Sequence, residues 1–193
     1  MKIALIGSTG YIGSKLLAEA LERGHAVTAV TRAVMDVHDT GGLAALLAGH
    51  DAVVSAYNPG AADGLRGARS IVEAAKRAGL RLLAVGGAGS LEVAPGRRLV
   101  DEPDFPQQWK AGALATAEFL EMLRAEPELD WCFLSPAAEL VSGERTGRFR
   151  LGGDALLKDG EGRSRISLQD YAAALLDELE TPRHPRRRFS VAY

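Results

Sequence analysis

The first fifteen residues combine an apolar run with regularly spaced glycines. Residues 2–6 (KIALI) are nearly all apolar, which predicts a buried strand, and the segment GSTGYIGSK follows at once. Gly7, Gly10 and Gly13 have a GxxGxxG spacing between this strand and a segment whose apolar residues recur with a helical period. A strand, a glycine-rich turn and a helix in this order are typical of the start of a dinucleotide-binding βαβ unit.

Each glycine of such a unit has its own task. Gly7 allows a sharp turn, Gly10 lets backbone N–H groups approach a diphosphate, and Gly13 lets the helix pack closely on the strand. The diphosphate then lies at the helix amino terminus, where unpaired N–H groups favour an anion. A glycine-rich turn that binds nothing is the alternative, but the flanking strand and helix favour binding. The predicted diphosphate contacts are Gly7, Ser8, Thr9, Gly10, Tyr11, Ile12 and Gly13.

Composition excludes several other classes of protein. The 193 residues suffice for one domain, and 47% hydrophobic with 25% charged residues is typical of a globular chain. A net charge of -2 gives no electrostatic reason to expect nucleic acid or a membrane as partner. Cys132 is the single cysteine and the four histidines lack metal-ligand spacing, so neither a disulfide nor a metal is expected. With no signal-peptide pattern and no long apolar run, we expect a cytoplasmic protein.

The rest of the chain alternates apolar helical segments with short apolar runs. Gly24, Gly49 and Gly79 separate them, and we expect each to cap a helix in the left-handed conformation. The alternation predicts an α/β fold in a single domain, with a mainly parallel sheet covered by helices on both faces. Strands are predicted near residues 2–6, 26–30, 33–37, 52–55, 81–85 and 131–134 and in the tail RRRFSVAY. Helices are predicted near residues 11–23, 42–48, 65–78, 112–125 and 168–179.

One predicted connection is too short. Parallel neighbours need a crossover of about a dozen residues or more, yet only Thr31, Arg32 and Ala33 separate Val30 from Val34. Either residues 33–37 are not a parallel strand, or a loop is missing near Arg32 and Ala33. The DVHD sequence that follows is typical of a strand end and favours the missing loop. The NPGAADG segment at 58–64 is a weaker candidate for a second missing loop.

Six segments, taken in order, resemble the atypical short-chain dehydrogenase/reductase superfamily: GSTGYIGS, TR, DVHD, VVSAYNPG, VGGAGSL and LSPAA. Within it the chain is similar to the NmrA-like NAD(P)-binding group that includes NADH-flavin reductases. The resemblance covers nearly the whole chain and implies a Rossmann-type, doubly wound sheet with a small substrate-side segment over about residues 137–193. It also implies further cofactor contacts, namely Asp36 and Val37 beside the adenine, Ser55, Ala56 and Tyr57 beside the ribose and nicotinamide, and Gly86, Gly87 and Pro136 at the catalytic crevice.

The end of the second strand indicates which cofactor is bound. NAD sites usually place a carboxylate about 20 residues after the glycines, whereas an arginine accommodates the 2′-phosphate of NADP. This chain carries Thr31 and Arg32 there, and a guanidinium can hold a phosphate by two parallel hydrogen bonds. The sequence therefore predicts NADP(H) rather than NAD(H). A solvated loop arginine is the alternative for Arg32.

The Tyr-x-x-x-Lys pair of short-chain dehydrogenases is absent where the resemblance implies it, because Trp109 occupies the tyrosine position. Tyr11 and Lys15 match the spacing, but they lie inside the phosphate turn and we interpret the match as chance. Ser90 and Lys110 are the remaining candidate catalytic groups. Their alternatives are a turn serine that bonds its own backbone and an exposed lysine at a helix start.

Hydride transfer does not require the missing pair. A flavin or similar acceptor can take a hydride without an enzyme tyrosine, since the cofactor carries the chemistry and the protein aligns the rings. The sequence thus favours an NADPH-dependent reductase of a flavin-like or other conjugated small molecule, acting as a monomer or homodimer. A non-catalytic NADP(H)-sensing regulator with a protein partner is the second hypothesis. An epimerase or dehydratase is the third.

Two polar segments near the carboxyl terminus have open interpretations. The RHPRRR run at 183–188 is either an anion-binding patch or a solvated turn, and the acidic residues 177, 178 and 180 just before it favour the turn. The glycine-rich stretch 139–153 could cover a substrate. Asp170 and Tyr171 either lie over the substrate side or serve in capping and packing, and we expect Cys132 to be a buried, inert thiol.

Overall fold

The computed structural model of the chain describes all 193 residues. The helices are α1 (Gly13–Glu22), α2 (Thr40–Leu47), α3 (Gly64–Ala78), α4 (Gln107–Arg124) and α5 (Leu168–Glu180). The strands are β1 (Lys2–Ile6), β2 (Ala26–Val30), β3 (Ala52–Ser55), β4 (Arg81–Val85), β5 (Glu92–Ala94), β6 (Arg97–Arg98), β7 (Trp131–Ser135), β8 (Glu139–Val141), β9 (Arg150–Gly152), β10 (Arg165–Ser167) and β11 (Arg187–Ala192). Two single 3₁₀ turns occupy Ala88–Ser90 and Leu99–Asp101.

Seven strands form one sheet in the order β2-β1-β3-β4-β7-β11-β9, and only β9 runs antiparallel to its neighbour. After β1 the chain goes outward to β2 and then returns to the other side of β1 as β3. Such a reversal opens a crevice at the carboxyl ends of the two central strands, which is where open α/β sheets bind ligands. The predicted doubly wound, mainly parallel α/β fold is confirmed.

The sheet separates two apolar layers. One layer packs α1 and α5 against the sheet and includes Leu16 and Leu175, whereas the other packs α2, α3 and α4 and includes Leu43 and Phe119. The central strands are buried on both faces, which explains why their sequences are continuous apolar runs. Tyr171 lies in the α5 layer, fully buried, and donates a 2.8 Å hydrogen bond to the carbonyl of Leu134. The packing interpretation of Tyr171 therefore agrees with the structure.

Three glycines end helical segments as predicted. Gly24, Gly49 and Gly79 have φ values of +78°, +79° and +66°, in the region that residues with a β-carbon avoid. A β-carbon at any of these positions would meet no atom within 4 Å, so the backbone conformation alone favours glycine there. These predictions are confirmed.

The prediction of a strand over residues 33–37 is wrong. Residues 32–34 form a turn after β2, with the N–H of Val34 donating to the carbonyl of Thr31 at 3.0 Å. DVHD is not a strand end but the start of α2, because the Asp39 carboxylate accepts a hydrogen bond from the N–H of Gly42. The whole stretch from 31 to 51 is thus one crossover from β2 through α2 to β3, long enough for parallel strands. The connection after β2 therefore requires no missing loop near Arg32.

The segment 137–193 contributes both to the main layers and to the surface. Its α5 and β11 belong to the central layers, while β8 and β10 form a small parallel sheet. Residues 142–149 between β8 and β9 are anchored at two points. Arg145 donates two hydrogen bonds to Glu19 of α1, at 2.7 and 2.8 Å, and Thr146 and Gly147 donate to Asp170. The role of this segment at a substrate stays a prediction.

None of the five α-helices combines the length and the hydropathy of a membrane-spanning segment. No group of three or more histidine, cysteine or acidic side chains is arranged to bind a metal ion. Cys132 is fully buried and free.

Candidate functional site

The glycine-rich turn lies at the carboxyl end of β1, between the ends of β2 and β3. Ile6 pairs with Val30 on one side and with Ser55 on the other. The N–H of Gly7 donates to the carbonyl of Val30 at 3.0 Å, and the N–H of Ala56 donates to the carbonyl of Ile6 at 2.9 Å. The turn is therefore fixed by backbone hydrogen bonds on both sides, at the crevice that the strand order creates.

Close packing requires glycine at two of the three positions. Gly7 has φ of +78°, and a β-carbon on it would lie 2.8 Å from the carbonyl oxygen of Ala56. A β-carbon on Gly13 would overlap the carbonyl of Gly7, at 2.9 Å from its carbon atom and closer still to its oxygen. At Gly10 the corresponding distance to the oxygen of Gly7 is 3.3 Å, which is less severe. Gly7 and Gly13 thus let the first turn of α1 press against the end of β1.

The amino terminus of α1 presents unpaired donors. The N–H groups of Tyr11, Ile12 and Gly13 have no hydrogen-bond acceptor within the chain, and no side chain caps the helix. Ser8 is 2% exposed, and its hydroxyl has no partner either. Buried polar groups without partners are rare in folded proteins, and helix amino termini bind anions. The residues present fit a diphosphate at this turn.

Arg32 follows β2 beside this turn and is exposed to solvent. No carboxylate lies within ion-pair distance of its guanidinium; the nearby Asp36 instead accepts hydrogen bonds from the backbone N–H and the Nδ1 of His38, each at 3.0 Å. These hydrogen bonds, the backbone one first, lower the pKa of Asp36. The Arg32 guanidinium is therefore free to bind an external anion, because the nearby Asp36 carboxylate is bound to His38 instead. Val37 packs against the α2–α3 layer.

Tyr57 follows β3, one residue after Ala56 and close enough to Arg32 for their charges to interact. Partial burial raises the pKa of the Tyr57 hydroxyl, and Arg32 opposes that rise. The N–H of Tyr57 donates to the Oγ of Ser55 at 3.4 Å. The structure thus brings three of the sequence-predicted residues, Ala56, Tyr57 and Arg32, together around the glycine turn.

The predicted crevice residues lie where β4 and β7 end. The N–H of Gly86 donates to the carbonyl of Leu134 at 2.9 Å, and a β-carbon at Gly86 would lie 2.7 Å from that same oxygen. A β-carbon at Gly87 would contact Thr116 of α4 at 3.2 Å. Pro136 is buried directly after β7. Its neighbour Ser135, which was not predicted, has a fully buried hydroxyl without a hydrogen-bond partner. The LSP segment is its only signal in the sequence.

The two candidate catalytic groups, Ser90 and Lys110, differ in whether another side chain of the protein already binds them. The hydroxyl of Ser90 accepts a 3.1 Å hydrogen bond from Arg188 of β11, which also binds Asp154. Lys110 lies half-buried in the first turn of α4 with no carboxylate at ion-pair distance. Trp109, at the position that a catalytic tyrosine would occupy, is 63% exposed. Ser90 is thus already hydrogen-bonded within the chain and Lys110 is not, and a catalytic role for either group stays a prediction.

The fold and the donor-lined turn define an α/β protein of the dinucleotide-binding class. The chain belongs to the NAD(P)H-binding family, whose sequence profile matches residues 7–182. This confirms the resemblance seen in the sequence. The matched range includes all the predicted cofactor contacts, from Gly7 to Pro136, and the cofactor class is NAD(P)H.

Four similar proteins carry different names. The Bacillus subtilis protein YwnB is 41% identical over 211 residues, with 99% of this chain and 98% of YwnB covered. A crystal structure from Bacteroides thetaiotaomicron, provisionally named an epimerase, is 45% identical with a TM-score of 0.94 and covers 100% of this chain and 96% of its own. One from Burkholderia pseudomallei, provisionally named an exported protein, is 44% identical with a TM-score of 0.91 and covers 100% of both chains. One from Streptococcus pneumoniae, provisionally named an NADH-flavin reductase, is 36% identical with a TM-score of 0.83 and covers 100% of this chain and 99% of its own.

The alignment with YwnB is longer than this chain. It extends over 211 residues against 193 here, so YwnB has residues at 18 or more positions that have no counterpart in this chain. Since the connection after β2 is not too short, the length of this alignment is the remaining support for a missing loop, which the sequence predicts near 32–33 or, more weakly, at 58–64. An intact mass that exceeds 20.4 kDa would reveal additional residues, whereas agreement with that value rejects a missing loop.

Proposed function

We propose that the protein is an NADPH-dependent reductase of a flavin-like or other conjugated small molecule. The observation that carries this proposal is the row of unpaired N–H groups at Tyr11, Ile12 and Gly13, directly after the buried, unpartnered hydroxyl of Ser8. These groups bind the diphosphate. When bound, the nicotinamide supplies the hydride, and the chain's own residues bind and orient the two rings.

Arg32 supports NADPH as the preferred form. Its guanidinium is exposed, without a carboxylate partner, and beside Tyr57 at the end of β2. A 2′-phosphate would give it two charge-assisted hydrogen bonds. In the same proposal Asp36 and Val37 border the adenine, Ser55, Ala56 and Tyr57 border the ribose and nicotinamide, and Gly86, Gly87 and Pro136 border the acceptor.

The missing catalytic tyrosine bears on which kind of molecule accepts the hydride. Short-chain dehydrogenases normally exchange a proton with an alcohol or ketone through a tyrosine on a helix, and Trp109 stands at that position. A conjugated ring system spreads the added charge and takes its proton from Lys110 or from water. Conversion of a flavin-like acceptor is therefore easier for these residues than alcohol oxidation, and one relative at 36% identity is named as an NADH-flavin reductase. We place the protein in the cytoplasm as a monomer or homodimer.

Steady-state oxidation of NADPH with a panel of flavins and quinones tests the reaction. Turnover with at least one member is expected, reduced in Lys110→Ala and unchanged in Lys158→Ala, a lysine of the loop after β9. Absence of turnover with every acceptor would contradict the reductase proposal.

Calorimetric titration with NADP⁺ and NAD⁺ tests the cofactor choice. Arg32→Ala should lose several-fold affinity for NADP⁺ and keep its affinity for NAD⁺, because only NADP⁺ carries the 2′-phosphate. Arg77→Ala is the matched control, since Arg77 lies in the last turn of α3 and pairs with Glu73. Equal losses for both nucleotides in Arg32→Ala would reject the role of Arg32.

A non-catalytic NADP(H) sensor is the second candidate function. The observation that favours it is the hydrogen bond from Arg188 to Ser90, which leaves that hydroxyl engaged within the chain. A sensor binds NADP(H) tightly, distinguishes the oxidised from the reduced form, and shows no turnover in the acceptor panel. An epimerase, the name that one 45% identical relative carries, is a less favoured candidate because such reactions also usually rely on the tyrosine whose position Trp109 occupies.

A further inference from the structure

A depression of about 550 Å³ opens at the amino ends of β7 and β11, at the opposite end of the strands from the glycine turn. It exists because β9 pairs with β11 only along Ser190–Ala192, whereas β7 pairs with β11 along Arg187–Ser190. The edge of β11 before Ser190 is therefore left uncovered. Where β9 turns away, its end and the following residues form the other wall.

The lining of this depression is strongly basic. It includes Arg124, Arg186, Arg187 and Arg188, with Asp154 as the sole carboxylate. Asp154 is shared by Arg124, at 2.9 Å, and Arg188. Arg186 and Arg187 have no carboxylate within ion-pair distance. An excess of positive charge with two unpaired guanidinium groups attracts anions.

The acidic residues that precede the arginine run do not neutralise it. Asp177 and Glu180 bind Arg23, directly after α1, each at 2.9 Å. Glu178 binds Arg81 of β4 and His184, each at 2.7 Å. Pro185 and Arg186 do form an exposed turn, as the sequence interpretation expects, but its positive charge is not balanced by the acidic residues before it. These carboxylates form their ion pairs with Arg23, Arg81 and His184 and not with Arg186 or Arg187.

The other groups around the depression are also donors. His184 uses its Nδ1 on Glu178 and stacks on Phe189 with ring centroids 4.2 Å apart, so its Nε2 has no partner. The N–H groups of Gly153 and Asp154 have no acceptor within the chain. A wall of guanidinium groups, an imidazole and backbone amides matches the oxygen atoms of phosphates.

The backbone at Arg186 is held in an unfavourable conformation. Its φ is +52°, in the left-handed region that residues other than glycine rarely adopt, and its N–H donates to the carbonyl of Trp131 at 2.7 Å. Glycine would fit this position without strain. An arginine kept in a conformation that suits glycine points to a role for its side chain.

We propose that this depression is a second binding site, for a small molecule that carries phosphate groups, held by Arg186 and Arg187. Two forked guanidinium groups on one wall suit a diphosphate or two neighbouring phosphates. The proposal does not rest on the reductase function, because Arg186 and Arg187 lie at the other end of the strands from the glycine turn; Arg188 on the same wall bonds Ser90.

Calorimetric titration with inorganic pyrophosphate, in the presence and absence of saturating NADP⁺, tests the site. One binding event per chain should persist with NADP⁺ present. The double variant Arg186→Gln and Arg187→Gln should weaken that event by about tenfold or more, as expected when two charge-assisted contacts are lost. Arg183→Gln should change it less than about twofold, because Arg183 belongs to the same run but does not line the depression. No binding, or equal losses in the two variants, would overturn the proposal.

Arg186→Gly separates binding from folding. Glycine accepts the left-handed conformation, so the melting temperature should stay the same or rise, while pyrophosphate affinity should fall. If Arg186 served only the fold, the affinity would be unchanged, and that result would remove Arg186 from the site.

Discussion

A β-carbon at position 13 would lie 2.9 Å from the carbonyl carbon of Gly7 and closer still to the carbonyl oxygen. The first turn of α1 therefore rests directly on the backbone at the end of β1. This contact sets where the unpaired N–H groups of α1 lie relative to β2 and β3, and it gives the first prediction.

Gly13→Ala should both destabilise the fold and weaken cofactor binding. The added methyl group forces α1 away from β1, and overpacking of this kind costs about 1–3 kcal/mol. NADP⁺ affinity should fall by about tenfold or more, because the amide donors move with the helix. Urea unfolding and calorimetric titration measure the two effects. Gly112→Ala is the control, since a β-carbon there meets no atom within 4 Å, and it should stabilise α4 by about 0.5–1 kcal/mol.

Asp170→Asn should unfold at a lower urea concentration. Asp170 is fully buried and accepts hydrogen bonds from the hydroxyls of Thr146 and Tyr193 and the N–H of Gly147, at 2.6 to 2.8 Å. An amide cannot accept all of them, and the loss should be about 2–3 kcal/mol. Asp104→Asn, at an exposed position after the second 3₁₀ turn, should have little effect.

The Asp170 carboxylate should also make the free energy of unfolding depend on pH in the acidic range. Burial alone would raise the pKa of Asp170, but the hydrogen bonds from Thr146, Gly147 and Tyr193 outweigh it, so the folded pKa lies below the ordinary value of 3.8. The contribution to stability is thus fully present above pH 3.8 and is lost as the pH falls through the lower folded pKa. Urea midpoints of wild type and Asp170→Asn should converge in that acidic range. A constant difference between them down to the lowest pH at which the protein folds would contradict this.

Arg145→Ala should loosen the loop between β8 and β9 without unfolding the protein. Glu19 is buried, and hydrogen bonds from Arg145 are the largest influence that lowers its pKa; Arg23 contributes as well and remains in the variant. Amide hydrogen exchange of residues 143–147 should therefore accelerate several-fold, while exchange in β1 and β4 stays slow. In the Arg148→Ala control the exchange rates should not change, since that exposed side chain has no hydrogen-bond partner.

Cys132 should react with iodoacetamide only in the unfolded protein. The thiol is fully buried in β7, and burial raises the pKa of its sulfur above the ordinary value, so almost no thiolate forms at neutral pH. Mass spectrometry should find no adduct under native conditions and one adduct in denaturant. Rapid native labelling would show that the end of the sheet near β7 opens frequently.

Local patterns in the sequence predict the central part of the fold and of the site. The apolar run of β1, the three glycines and the caps at Gly24, Gly49 and Gly79 are each determined by neighbouring residues, so the structure agrees with them. The stretch 33–37 (AVMDV) is mostly apolar, like a short buried strand, but Asp39 caps a helix just beyond it, and the residues between form a turn. The small strands β9 and β10 depend on partners far along the chain and have no local signal.

Long-range contacts explain what the sequence could not predict at the sites. Ser90 is bonded by Arg188, which is 98 positions away, and Asp170 holds a loop 23 or 24 residues before it. The acidic residues before the arginine run seemed able to balance its charge, yet they bind Arg23, directly after α1, and Arg81 of β4. Side-chain pairing between distant segments is set by the packing of α5 against the sheet, which no short pattern encodes.

The unpaired donors ahead of α1 belong to peptide bonds and not to side chains. Substitution at Tyr11 or Ile12 therefore changes the walls around a bound anion but leaves the number of donors facing it the same. Substitution of Tyr11 and Ile12 can therefore change which anion binds at the turn. Gly7 and Gly13 cannot be replaced in the same way, because a side chain on either would overlap backbone atoms.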